Sequence, residues 1–244
     1  MIYGESGSGK SASLRNFKPE EISVINITSK ELPFKNKIPK IDNADYVDIA
    51  NAFRNPTKKA YVIDDCGYLL SFSALRRASE KGFDKWNEIA ENFFRMIEFI
   101  IKEVPNDIIV YLTFHEEEGD GGRIKAKTVG KMLDSTLFLE GLFTIVIRSV
   151  QNERGYRFIV NEPNSTTKAP IGMFEESEMD NDLKVVDGMI REYYDMPALT
   201  GTAKTKTKKL CKKIRLLYIV THHQVASHTL ELQEQTQRLD GIMD

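Results

Sequence analysis

A chain of 244 residues, 41% apolar and 29% charged, has the composition of a soluble globular protein with room for one α/β domain and an extension. No apolar run approaches the roughly 20 residues of a membrane helix, and no signal peptide is visible, so neither a membrane span nor a secretory leader is expected. The two cysteines, Cys66 and Cys211, lie far apart and build no disulfide framework, so a reducing cytoplasm is expected. The net charge of −2 says nothing about nucleic acid, but its distribution does.

In chain order, Ile2 and Tyr3 read as the end of an apolar strand. Only three residues precede Gly4, fewer than the roughly five or six of an ordinary strand, so a trimmed chain or a start further upstream is expected. A helix is expected to begin over residues 12–17. Residues 21–28 (E-I-S-V-I-N-I-T) alternate apolar and polar and predict a strand. Residues 46–49 suggest a second, short one. Residues 60–65 (A-Y-V-I-D-D) form a buried-type strand that ends in two carboxylates.

Residues 83–104 give the clearest helix. Phe83, Trp86, Ile89, Phe93, Ile97, Ile100, Ile101 and Val104 recur at three- and four-residue steps, and Pro105 stops the run. This stripe is core packing rather than a ligand platform. Residues 107–114 (D-I-I-V-Y-L-T-F) read as a strand buried inside a parallel sheet. Residues 137–150 supply one or two more strands, 156–160 another, and 182–194 a last helix. Strands alternating with helical stretches predict a mainly parallel α/β sheet flanked by helices. The composition shifts after Pro197, which predicts a core over 1–197, then a basic linker and a tail over 198–244.

One motif carries chemistry by itself. Gly4, Glu5, Ser6, Gly7, Ser8, Gly9, Lys10 and Ser11 read G-E-S-G-S-G-K-S, a full match to the phosphate-loop pattern. The glycines let backbone N–H groups turn inward on a phosphate chain. Lys10 places a charge near the β- and γ-phosphates, and the Ser11 hydroxyl is a ligand for Mg²⁺. A helix N-terminus after the loop favours an anion.

A phosphate loop needs an acid at the end of a neighbouring apolar strand, and Asp64 fits that Walker B position as a metal-holding group. Asp65 beside it is the first candidate for orienting the attacking water, with Glu31 as the alternative; a merely solvated Asp65 is the bland reading. His115, at the end of the 107–114 strand, is placed to sense the γ-phosphate, although a lone histidine there also serves as ordinary structure. Past it, Arg123, Lys125, Lys127 and Lys131 make a glycine-containing segment basic, read either as a mobile DNA-contacting loop or as a solvated hairpin. Lys168 is a candidate cation acting on a neighbouring subunit's nucleotide, or a plain surface lysine. Over residues 204–215, Lys204, Lys206, Lys208, Lys209, Lys212, Lys213 and Arg215 are offset by no acid, which suits a linker or a phosphate-tracking tail. His222, His223 and His228 have no zinc spacing.

The segments G-E-S-G-S-G-K-S, Y-V-I-D-D, L-T-F-H-E, K-T-V-G-K-M-L-D, L-E-G-L-F-T-I-V-I and T-K-A-P-I-G-M-F, in this order, resemble the phage-encoded AAA/RecA-like ATP-binding proteins, including the small Sak-type single-strand annealing ATPases. The likeness covers residues 1–194. It implies a RecA-like core, ATP and Mg²⁺ as cofactors, ATP hydrolysis, single-stranded DNA and other copies of the chain as partners, and a role in phage recombination or replication alongside phage or host proteins. It also implies Lys10 and Ser11 for nucleotide, Asp64 for metal, His115 as sensor and Lys168 as the trans-acting cation.

Overall fold

The computed structural model describes residues 1–129 and 138–199. They all lie in the first of two units, Met1–Gly201 and Thr202–Asp244; the basic 204–215 run and Lys131 fall outside the described residues. Among the described residues, nine strands join in one sheet. They are β1 (Ile2–Gly4), β2 (Ile22–Asn26), β3 (Lys40–Asp42), β4 (Ala60–Asp64), β5 (Ile109–Glu118), β6 (Ile124–Ala126), β7 (Ile147–Asn152), β8 (Gly155–Ile159) and β9 (Glu178–Asp180). The helices are α1 (Tyr46–Arg54), α2 (Gly67–Arg76), α3 (Asp84–Glu103) and α4 (Leu183–Tyr193). The expected α/β class with a mostly parallel sheet flanked by helices is what the chain forms.

The strand order is β3-β2-β4-β5-β1-β7-β8-β9, with β6 on an extension of β5. β3 through β7 along this path run parallel, and β8 and β9 are antiparallel. Each central strand is apolar on both faces because helices cover both. Tyr3, Ile25, Tyr61, Ile63, Leu112 and Phe114 pack under α1, α2 and α3. Their alternating neighbours Ile2, Val24, Val62 and Tyr111 pack with Leu14, Phe17, Leu183, Val186 and Ile190 on the other face. Among the described residues no helix is long and apolar enough to cross a membrane.

Two expectations are corrected. Residues 46–49 begin α1 instead of a strand, because Asp45 caps the Val47 and Asp48 amides and Asp48 caps back. Ile49 and Phe53, one helical turn apart, then fall on the same buried face. The helix expected over 12–17 is a single 3-10 turn, Ser11–Leu14. Leu14 and Phe17 are drawn into the core and Pro19 follows, so the run stops before a dipole of any length accumulates. The one or two strands expected over 137–150 are one strand among the described residues, β7, preceded by a 3-10 turn at Leu139–Leu142.

Candidate functional site

The loop that leaves β1 holds its shape through glycine. Gly7 and Gly9 have φ of 82° and 97°, the left-handed region that side chains avoid. A Cβ on Gly4 would stand 2.2 Å from the Ser149 carbonyl oxygen, so any larger residue would push β7 away. Lys10 folds back and its Nζ donates to the carbonyls of Gly4 (2.8 Å) and Glu5 (2.7 Å). The Glu5 carbonyl also accepts from the Ser8 amide at 3.2 Å.

Because β5 lies between β1 and β4, the ends of all three strands meet beside this loop. The Ser11 hydroxyl donates to Asp64 Oδ2 at 2.8 Å, across 53 residues of sequence. Thr113 Oγ1 donates to Asp64 Oδ1 at 2.8 Å and accepts the Asp65 amide at 2.8 Å. Asp65 sits at φ 57°, a strained turn fixed by this threonine. Its Oδ2 accepts from Lys30 Nζ at 3.0 Å and from Thr28 Oγ1 at 3.3 Å. His115 lies within β5, level with Gly4, rather than after the strand. Its Nε2 is buried without a hydrogen-bond partner, 3.7 Å from Asp65 Oδ1.

Charge and burial work against each other here. Burial, then the neighbouring Asp65, pushes the Asp64 carboxyl above its ordinary value, although bonds from Thr113 and Ser11 oppose this. Burial lowers Lys10, and the two carboxylates pull it back. Burial and then Lys10 lower His115, so the imidazole is neutral at pH 7. The arrangement is a pair of carboxylates, a buried ammonium and a neutral imidazole around one loop.

The residues fit a magnesium nucleotide. Among the described residues no cluster of three metal-ligating side chains exists. Mg²⁺ on a phosphate chain needs only one or two protein oxygens, its other ligands being phosphates and water. Ser11 and Asp64 would provide them. Two buried groups beside the loop, Ser8 Oγ and His115 Nε2, await partners.

The other expected residues lie elsewhere. The Glu31 side chain is 88% exposed and pairs with Lys40 at 2.9 Å, whereas Asp65 lies beside Asp64 and His115. Residues 116–126 form an antiparallel hairpin in which Lys125 pairs with Glu117 at 3.2 Å and Arg123 reaches the Ser165 carbonyl at 3.3 Å. The Lys127 amide donates to the His115 carbonyl at 2.7 Å, which ties the hairpin to the site's strand. Lys168 bridges Val146 next to the start of β1, the end opposite the loop. It does not join Lys10 within one subunit.

The sequence carries no signal for the second ring of support. Ser149 Oγ donates to the Ser8 carbonyl at 2.8 Å and accepts from Asn181 Nδ2 at 3.1 Å. Arg15 donates to the Asn181 carbonyl at 2.6 Å. These residues, like Lys30, belong to no short motif, and only the strand order brings them to the loop. No protein-family model matches the chain, and no curated protein matches it.

Proposed function

We propose that the chain is a RecA-like P-loop NTPase that binds ATP with Mg²⁺ and hydrolyses it. The observation that carries this reading is the Ser11–Asp64 hydrogen bond beneath the glycine loop, which unites a phosphate-loop hydroxyl with a strand-end carboxylate. The strand β5 inserted between β1 and β4 supports it further, because it sets His115 between loop and carboxylates.

In this reading the loop amides and Lys10 hold the β- and γ-phosphates, and Lys10 leaves the Gly4 and Glu5 carbonyls to do so. Bound Mg²⁺ would neutralise charge developing on the phosphate oxygens. Asp65 accepts a proton from, or orients, the attacking water. The neutral His115 donates or accepts at Nε2 according to the presence of the γ-phosphate. Single-stranded DNA is the proposed polymer partner, in phage recombination or replication. Lys168 completes a neighbouring copy's site in a homo-oligomer.

The test is steady-state ATP turnover with Mg²⁺, with and without single-stranded DNA. Lys10→Ala is expected to lower turnover by about a hundredfold or more. Wild-type turnover in that variant would overturn the reading.

A second reading draws on Asp65. Its carboxylate is already held by Lys30 and Thr28, which suits a nucleotide-dependent interaction module that binds ATP and turns it over poorly. Tight ATP binding with no turnover, and no stimulation by DNA, would favour this loader or host-interaction role.

A further inference from the structure

Tyr156, the second residue of β8, stands against the outer side of the loop with 46% of its surface exposed. Its ring Cδ1 is 2.9 Å from where a Cβ on Gly9 would sit, so the ring and the loop backbone are in direct contact. The same position is 3.2 Å from Asn181 Oδ1. Asn181 is 1% exposed, and its Oδ1 is a buried acceptor with no partner. An orphaned buried acceptor is costly unless something donates to it. Both side chains line a cavity of about 400 Å³ that runs from Arg15 to the start of α4, a volume in the range of small-molecule sites.

The lining decides what the cavity takes. Glu176, Glu178, Asp180 and Asp182 contribute four carboxylates against the guanidiniums of Arg15 and Arg157. Arg157 is already engaged by Glu178 and Asp180. Such a lining repels phosphate and suits a neutral group rich in O–H and N–H donors. An exposed aromatic face adds a stacking plane. A nucleoside has all of these: a π-face, hydroxyl donors and, in most bases, an amino donor.

We propose that the Tyr156 cavity is the nucleoside subsite, in which the base stacks on Tyr156 and the ribose hydroxyls or a base amino group meet Asn181 Oδ1 and the carboxylate rim. The proposal rests on the reading of residues 4–11 as a nucleotide phosphate loop. Phosphates then lie on the inner side of Gly9 and the nucleoside on its outer side, with the acidic rim enforcing that polarity.

The experiment is calorimetric binding of ADP and of inorganic tripolyphosphate, both with Mg²⁺, to the full chain. Tyr156→Leu keeps bulk against Gly9 without a ring, and Tyr156→Phe keeps the ring without the hydroxyl. Base–aromatic stacking predicts ADP binding roughly ten- to a hundredfold weaker in Tyr156→Leu and near wild type in Tyr156→Phe, with the loss confined to ADP. Equal losses for ADP and tripolyphosphate, or no loss for either, would overturn the subsite while leaving the phosphate loop in place. Failure of both ligands to bind the wild-type chain would overturn the nucleotide reading and the subsite with it.

Discussion

Where the parallel strands end, buried polar side chains are left short of partners; where they begin, a buried ion pair is bonded to the groups around it. At the ending edge, Ser8 Oγ, His115 Nε2 and Asn181 Oδ1 are buried and unpaired, and two adjacent carboxylates share one corner. At the beginning edge, Arg191 of α4 is 3% exposed and pairs with the fully buried Asp187. Its remaining donors reach the carbonyls of Lys59 (2.7 Å), Pro197 (2.9 Å) and Asp107 (3.2 Å). Tyr111 completes the group with a 2.9 Å bond to Asp187. Both edges bury charge. The saturated one holds the helix to the sheet, and the unsaturated one has capacity left for a ligand.

The sharpest way to break this comparison is to cut the saturated edge. Arg191→Ala leaves Asp187 buried without its cation and is expected to cost about 3–5 kcal/mol of stability. Urea unfolding measures it, and a loss under about 1 kcal/mol would show that the network is not the structural anchor. Nucleotide affinity, measured where the variant is still folded, should be unchanged.

Asp64→Asn should give the opposite pattern. Turnover is expected to fall by about a hundredfold or more. The Asp64 carboxyl is raised in the folded state, so its stability contribution is present at low pH and is lost as pH rises through the folded value. Above that value the ionised group costs stability, and asparagine should raise the urea midpoint there. A lower midpoint with intact turnover would reverse the assignment of the two edges.

His115 gives a smaller effect with a defined sign. Its folded value lies below the ordinary imidazole value of about 6.5, so the unfolded chain takes up more protons just below that pH. Stability should drop as pH falls through this window, and His115→Gln should flatten the drop. Parallel pH profiles of the two proteins would refute the buried, neutral imidazole.

The smallest effect is expected in the hairpin. Lys125→Ala removes a partly exposed pair with Glu117 and should cost less than about 1 kcal/mol. If Lys125 contacts single-stranded DNA, the salt slope of log affinity should fall by about 0.7. An unchanged slope would leave the hairpin a purely structural extension of β5.

Much of this was legible in the residues. The apolar runs of β4 and β5 and the three- and four-residue stripe of α3 are local patterns, and they form these elements, although Phe83 stays exposed and β5 runs on to Glu118. The α1 segment was misread because Val47 and Ile49 signal a strand locally, whereas the Asp45–Asp48 capping box and the burial of Phe53 decide for a helix. The 12–17 helix failed for the converse reason: its start signal was good, but core packing of Leu14 and Phe17 ended it after one turn. Glu31 stood as the alternative to Asp65, and the structure shows it exposed and paired with Lys40, a contact that no local pattern announces.

The sequence by itself determined the phosphate-loop pattern, the acid-terminated strand and the α/β alternation. Each depends on a few adjacent residues and on short-range backbone sterics or burial. The tertiary structure alone decided that Thr113 joins Asp64 to Asp65, that Lys30 holds Asp65, and that Tyr156 and Asn181 back Gly9. Those contacts cross 35 to 172 residues of chain. No local pattern encodes them, because the strand order and its register, set by burial on both faces of the sheet, are what bring them together.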